Sequence, residues 1–178
     1  AYEPDEVATV RRILNPGDVC VDAGANIGYF TALAASLVQH TGAVHAFEPV
    51  PEYFARLARL RNANPGYPIH VHSHALGEAE GTAEIRVTAE RNIGWNTMVP
   101  GLLEDAHTRA THTVRVRRLD QFLEERDIRR VALVKVDVEG FELPLLRGLS
   151  GYFERTGDRP VILCEVAPGA YPRLGSRL

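Results

Sequence analysis

The chain has 178 residues, of which 45% are hydrophobic and 24% charged, and its net charge is −3. This length and apolar content suit a single domain over residues 1–178 with one core. The slightly acidic balance excludes a strongly basic nucleic-acid-binding surface, and no apolar run is long enough to span a bilayer.

The first half of the sequence alternates helix and strand patterns. Apolar residues at helical spacing, with Pro and Gly breaks between them, predict helices over 4–14, 28–40 and 51–62. Short apolar runs predict strands over 19–22, 43–47 and 69–75.

The pattern changes in the second half. Alternating polar and apolar residues predict an antiparallel pair of strands over 82–88 and 113–119. Between them, 90–111 is predicted to be a long polar loop, and loops of that length are typically functional. The rest of the chain predicts helices over 119–125 and 142–149 and strands over 131–136 and 160–166.

Strands that alternate with helices predict an α/β, Rossmann-like fold. We expect a mostly parallel twisted sheet with helices on both faces and an inserted antiparallel strand pair. Ligands of such sheets bind beyond the carboxyl ends of the strands. Four of the five predicted strand ends carry an acid, namely Asp22, Glu48, Asp137 and Glu165. So acidic a rim disfavours a nucleotide polyphosphate.

The sequence VDAGANIGYF, residues 21–30, joins the first strand to a helix. It is not a dinucleotide fingerprint, because Asn26 and Tyr29 stand where glycines are needed, and it lacks the Gly-Lys-Ser/Thr of a phosphate loop. Asp22 offers negative charge to a ligand ammonium, and Glu48 can accept both hydroxyls of a ribose. This combination favours S-adenosylmethionine, which has a ribose and a positive sulfonium but no phosphate.

Four segments of the sequence resemble the FkbM family of S-adenosylmethionine-dependent methyltransferases: VDAGANIGYF (21–30), AFEP (46–49), ALG (75–77) and VKVDVEGFELPLLRG (134–148). The resemblance covers residues 15–166. It implies the class I methyltransferase fold and O-methylation of a hydroxyl on a small molecule, a natural product of secondary metabolism or a sugar.

The resemblance also implies a C-terminal departure from the family. The family fold ends with two further strands that form a hairpin, and this sequence stops at Leu178. We therefore expect a truncated domain whose sheet has one unpaired edge, through which two copies can form a homodimer.

The resemblance assigns the cofactor site residue by residue. It implies that Asp22, Gly24, Asn26 and Gly28 surround the methionine end, that Glu48 holds the ribose, and that Ala75 and Leu76 lie near the adenine. The whole predicted cofactor-binding set is Asp22, Gly24, Ala25, Asn26, Gly28, Glu48, Pro49, Ala75, Leu76, Asn96 and Asp137.

Three residues are candidates for proton transfer. Asp137 follows the strand expected beside the cofactor strand and is our first choice of general base, with Glu139 and His74 as alternatives. A helix cap is the structural interpretation of Asp137 and Glu139. Asp137 and Glu165 end neighbouring strands, as in metal-dependent catechol O-methyltransferases, so a Mg²⁺-bound alkoxide is a further alternative.

The long loop supplies the candidate substrate contacts. Trp95 and Met98 are predicted to line an apolar acceptor pocket. The expected partner is a small-molecule hydroxyl acceptor, with no nucleic acid and no membrane. Cys20 and Cys164 lie in apolar strand-like runs, which favours buried free thiols and a reducing cytoplasm.

Other functions stay open at this stage. They are N-methylation, a non-catalytic S-adenosylmethionine-binding domain and, more distantly, an NAD-dependent oxidoreductase. His70, His72 and His74 alternate along one predicted strand and so share a face, but their spacing of about 7 Å is wide for a single zinc ion. We expect a solvated face there.

Overall fold

The computed structural model describes residues 3–89 and 95–175. Its helices are α1 (Pro4–Ile13), α2 (Tyr29–Val38), α3 (Pro51–Ala63), α4 (Leu119–Glu124), α5 (Glu142–Arg147) and α6 (Ser150–Thr156). Its strands are β1 (Val19–Ala23), β2 (Ala43–Phe47), β3 (Ile69–His72), β4 (His74–Leu76), β5 (Gly81–Thr88), β6 (Asn96–Thr97), β7 (Thr108–Arg117), β8 (Leu133–Val136) and β9 (Val161–Cys164). Short 3-10 helices cover Gln39–Thr41, Asp105–His107 and Pro168–Leu174.

Five strands form a parallel sheet in the order β3-β2-β1-β8-β9. Within it, Asp22 of β1 lies beside Lys135 of β8. Because all five strands run the same way, their carboxyl ends meet at one edge of the sheet. The mostly parallel α/β architecture predicted from the sequence is confirmed.

Two hydrophobic clusters cover the two faces of this sheet. On one face α1 and α2 pack on the strands through a cluster that includes Val10, Ala34, Val38, Cys20 and Val44. On the other face α4, α5 and α6 contribute Phe122, Leu145 and Tyr152, which pack on Val21, Phe47 and Val134. Each such side chain stabilises the fold by roughly 1.5–3 kcal/mol relative to an exposed one. Coverage on both faces explains why the β8 sequence is almost continuously apolar.

A second, four-stranded sheet has the order β4-β7-β5-β6. Strands β5 and β7 are antiparallel, as their alternating sequences predict, and β4 pairs with β7 in parallel. The predicted loop over 90–111 is wrong at its C-terminal end, because β7 begins at Thr108 and pairs there with Thr88 of β5. Residues 90–94 of that loop, with Gly94, lie outside the described residues.

The single strand predicted over 69–75 is two strands, and each belongs to a different sheet. The chain leaves β3 after His72 and enters β4 at His74. His74 therefore does not share a face with His70 and His72. Those two stack instead on His45 of β2, with ring centroids 4.9 and 5.5 Å away, so the face expected to be solvated is partly closed.

Strand β9 is the outermost strand of the parallel sheet among the described residues. Val161 and Ile162 are exposed there. Cys20 is buried as predicted, while Cys164 in β9 is only partly buried, and both are free thiols. Across 3–89 and 95–175, no helix is long and apolar enough to cross a membrane.

Candidate active site

A cavity of about 740 Å³ opens where the carboxyl ends of the parallel strands meet the small sheet. All but one of the predicted site residues line it. They are Asp22, Gly24, Ala25, Asn26, Glu48, Pro49, His74, Ala75, Leu76, Trp95, Asn96, Met98, Asp137, Glu139 and Glu165. Gly28 is the exception, since it lies against Leu57 and Leu60 of α3 and leaves room for helix packing.

The turn after β1 brings two strand ends into direct contact. The N–H groups of Gly24 and Ala25 donate to the Phe47 carbonyl at 3.0 and 2.9 Å. Gly24 has φ +81, and a Cβ atom there would lie 1.7 Å from the Asp137 carbonyl oxygen. Only glycine can make this turn, because the chain following β8 passes directly behind it.

Glu48 is held by the backbone at the end of β2. Its Oε2 accepts the Asn26 N–H at 2.9 Å and its Oε1 accepts the Val50 N–H at 2.8 Å. A carboxylate has about four lone-pair positions, so each oxygen can accept one more hydrogen bond. Burial raises the pKa of Glu48 to about 7, although the two backbone hydrogen bonds act in the opposite direction.

A buried lysine lies among the acids at the other end of the cavity. Lys135 Nζ donates to Asp137 Oδ2 at 2.9 Å and lies 4.5 Å from the centroid of the Phe30 ring. Asp22 is 2% exposed and accepts from Thr31 Oγ1 at 2.6 Å. Burial disfavours the charged form of Lys135, but Asp137 and Asp22 outweigh that effect, so the pKa of Lys135 is raised.

Lys135 is a functional residue that sequence reasoning did not select. Its signal was visible, since it is the only charged side chain in a strand that is otherwise apolar and fully buried. A lysine is almost never buried without a charged partner, so its position beside a strand-end acid could have pointed to the site.

Glu139 lies in the turn after β8 in an unusual backbone conformation. Its φ is +47, in the left-handed region that few non-glycine residues adopt. Burial, together with repulsion from Asp137 and Glu165, raises the pKa of Glu139 to about 8. Such a group changes its protonation state near neutral pH, which is the property required of a general acid or base.

The remaining lining residues differ in how firmly they are held. Met98 packs against the cluster of the small sheet that contains Val50, Tyr53, Ala75 and Ile85. Trp95 is 47% exposed at the cavity mouth. The Nδ1 atom of His74 is buried and has no hydrogen-bond partner within the described part of the chain.

Residues 22–175 match the family described as the methyltransferase FkbM domain. The chain belongs to the FkbM methyltransferase domain family. The FkbM resemblance that the sequence motifs suggest is thereby confirmed, and the match extends from the end of β1 to the last 3-10 helix.

Relatives of this FkbM domain are found in fungi and bacteria. "Methyltransferase 1" of Beauveria bassiana is 32% identical over 82% of this chain and 64% of the relative. The "31-O-demethyl-FK506 methyltransferase FkbM" of Streptomyces tacrolimicus is also 32% identical, over 76% of this chain and 61% of the relative. The chain thus spans less than two thirds of the length of these relatives. Its fold is similar to the crystal structure of an FkbM methyltransferase from Methylobacillus flagellatus, with TM-score 0.55, 17% identity, and coverage of 89% of this chain and 40% of that one.

The predicted Mg²⁺ site is not supported by the arrangement of donors. Among residues 3–89 and 95–175, no group of three or more His, Cys, Asp or Glu side chains comes together in a way that could hold a metal ion. Asp137 and Glu165 both line the cavity, but Lys135 already binds Asp137 Oδ2. Mg²⁺ requires near-octahedral oxygen ligands, and two carboxylates, one of them ion-paired, do not provide such a set.

Proposed function

We propose that this FkbM domain transfers a methyl group from S-adenosylmethionine to a hydroxyl of a small molecule. The observation that carries the proposal is the charge of the cavity. Six carboxylates line it, from Glu3, Asp22, Glu48, Asp137, Glu139 and Glu165, whereas Lys135 is the only lysine or arginine among the described lining residues. A positively charged, phosphate-free adenosyl ligand suits this balance, and a pyrophosphate does not.

The residues present suit each part of that donor. Glu48 has free lone pairs for the ribose hydroxyls, since each of its oxygens is used once by the backbone. Asp22 offers its buried carboxylate to the ammonium group. Pro49, Val50, Ala75 and Leu76 provide an apolar slot for the adenine.

When bound, S-adenosylmethionine supplies an electrophilic methyl group on a positive sulfur. The chain's own contribution is to hold the acceptor oxygen in line, exclude water and remove one proton. Glu139 is now the stronger candidate for that proton transfer, because its pKa of about 8 is matched to neutral or mildly alkaline conditions. Asp137, the first choice from sequence, supports it by repulsion that favours the protonated form of Glu139 before the acceptor binds.

The acceptor class rests on the cavity and on the named relative. The name of the Streptomyces tacrolimicus protein specifies methylation of an oxygen on a natural product. Trp95, exposed at the mouth, and Met98, packed beneath it on the small sheet, give the acceptor an apolar contact surface. The proposed reaction has no step that uses a metal ion.

Isothermal titration calorimetry followed by a transfer assay tests the proposal. We expect S-adenosylmethionine and S-adenosylhomocysteine to bind and NAD⁺ not to bind. A panel of alcohols, sugars and amines is then incubated with methyl-labelled donor. Binding of NAD⁺ in preference to the donor would overturn the proposal, transfer to amines alone would replace the oxygen acceptor by nitrogen, and donor binding without any transfer would leave a binding domain.

A further inference from the structure

The peptide group between Glu139 and Gly140 is hydrogen-bonded on both of its sides by buried side chains. Thr97 Oγ1 donates to the Glu139 carbonyl at 2.7 Å. The N–H of Gly140 donates to Glu142 Oε1 at 2.6 Å. Thr97 is 5% exposed and Glu142 is 1% exposed, so neither bond faces competition from bulk water.

This peptide group needs such support because its backbone is strained. Glu139 and Gly140 both have positive φ, +47 and +102. A non-glycine residue in that region costs on the order of 1–3 kcal/mol unless its surroundings hold it there. Gly140 is also enclosed, since a Cβ atom on it would lie 2.6 Å from the Ala170 Cβ.

The two supporting side chains come from separate parts of the fold. Thr97 lies in β6 of the small sheet and also accepts the Val99 N–H at 3.0 Å. Glu142 begins α5, and its Oε2 accepts the Tyr171 hydroxyl of the last 3-10 helix at 3.4 Å. The turn that carries Glu139 is therefore fixed from the small sheet on one side and from the C-terminal segment on the other.

We propose that Thr97 and Glu142 are positioning residues that hold the Glu139 carboxyl inside the cavity. The groups that face this carboxyl are Asp137 and Lys135 from β8 and its turn, Glu165 after β9, and Glu142 of α5. The reaction that the positioned carboxyl serves rests on the proposed function. The hydrogen bonds themselves do not, so they are tested separately.

The test follows the Gly140 amide by NMR. Labelling with ¹³C-carbonyl Glu and ¹⁵N-Gly selects Glu–Gly peptides, and the sequence contains two, Glu80–Gly81 and Glu139–Gly140. The first is an internal control in β5. Hydrogen exchange of both amides is measured in the wild type, in Thr97→Val, which removes the hydroxyl and keeps the shape, and in Thr97→Ser, which restores the hydroxyl.

Thr156→Val is the matched control variant. Thr156 Oγ1 also donates to a backbone carbonyl, that of Tyr152 at 2.7 Å, and also accepts the N–H two residues on, that of Asp158 at 3.1 Å. It does not line the cavity. The two valine variants therefore lose the same kind of hydrogen bonds at different places.

In Thr97→Val we expect Gly140 exchange to accelerate by roughly tenfold or more, as for the loss of one hydrogen bond, with Gly81 unchanged. Thr97→Ser and Thr156→Val should both keep the wild-type rate at Gly140. Unchanged Gly140 exchange in Thr97→Val overturns the proposal. If Thr97→Val does not fold, Glu142→Met is compared with Glu142→Gln, which loses the charge but keeps an acceptor oxygen, and equal exchange at Gly140 in the two overturns it.

Turnover distinguishes positioning from structural support. With an acceptor from the panel, Thr97→Val should lower kcat by roughly tenfold while KM for S-adenosylmethionine stays within about twofold. A variant with accelerated Gly140 exchange and wild-type kcat would leave the hydrogen bonds and remove their role in catalysis. Absence of donor binding to the wild type would count against the proposed function and not against the hydrogen-bond measurement.

Discussion

At the scale of single residues, the site is a set of acids whose environments differ. Glu48 is fixed by two backbone N–H groups, Asp137 is paired with Lys135, and Glu139 is surrounded by other carboxylates. The same residue type thus performs three tasks: holding hydroxyls, balancing a buried cation, and exchanging a proton near neutral pH.

Donor affinity should depend on pH through Glu48. Ribose hydroxyls donate hydrogen bonds, so they prefer the ionised carboxylate, which forms as pH rises through about 7. We expect S-adenosylhomocysteine to bind more tightly at pH 8.5 than at pH 6 when measured by calorimetry. In Glu48→Gln, affinity should fall by roughly tenfold at pH 8.5. A full pH dependence retained by Glu48→Gln would assign it to another group, and Glu52→Gln, on the exposed start of α3, should change neither value.

Removal of the buried cation should destabilise the fold. In Lys135→Met, Asp22 and Asp137 lose their counterion, and breaking a buried pair typically costs about 3–5 kcal/mol. Since the Asp137 side chain is 25% exposed, we expect about 2–4 kcal/mol in the free energy of unfolding by urea. Arg129→Met removes an exposed pair with Asp127 and should cost less than about 0.5 kcal/mol. Equal losses in the two variants would contradict the buried role of Lys135.

At the scale of elements, the site depends on how closely two strand-end turns approach. Gly24 after β1 and the Asp137 carbonyl after β8 are in contact, and the peptide that follows Glu139 is held by β6 and α5. Movement of one turn therefore displaces the other.

Gly24→Ala tests this contact, with Gly157→Ala as its control. Both glycines have positive φ, but nothing lies within 4 Å of a Cβ atom on Gly157. Gly157→Ala should cost about 1 kcal/mol for backbone strain alone. Gly24→Ala carries the same strain and adds a clash with backbone, so we expect about 3 kcal/mol or more in urea unfolding and loss of donor binding by calorimetry. Similar stability of the two variants would show that the turns separate at little cost.

Elements and site were predictable from sequence to different extents. The helix and strand periods, and the acids at the strand ends, gave the fold class and most of the cavity lining, because both depend on local pattern and on the rule that parallel strands end together. The separation of β3 from β4 at Ser73 was not predictable, since the alternation of His70, His72 and His74 continues across it. Thr97 and Tyr171 were missed because their contacts join residues that are far apart in the chain.

At the scale of the whole molecule, buried titratable groups should set the pH range in which the fold is most stable. His45 and His72 lie 3.3 Å apart, Nδ1 to Nε2, and burial lowers their pKa values to about 4 and about 3. Glu48 and Glu139 have pKa values raised to about 7 and about 8. Burial thus favours the neutral form in all four groups.

The two pairs act on opposite sides of neutrality. The stability that neutral histidines provide is complete above pH 6.5 and is lost as pH falls toward 4, whereas that of the protonated acids is complete below about 4.5 and is lost as pH rises through 7 and 8. We expect Tm to decline on both sides of about pH 6. His45→Phe should flatten the acid side, by on the order of 2–3 kcal/mol near pH 4, and exposed His107→Asn should not. An unchanged acid limb in His45→Phe would contradict this assignment.

The one-residue break at Ser73 divides the cavity walls between two mechanical units. Ala75 and Leu76 belong to the small sheet, whereas Asp22 and the turn after β8 belong to the parallel sheet, and Glu48 follows directly from its strand β2. A ligand long enough to reach from one wall to the other is therefore a cross-link between sheets. Its occupancy should slow their separation, and with it hydrogen exchange along the seam from 73 to 77, more than exchange in the interior of either sheet.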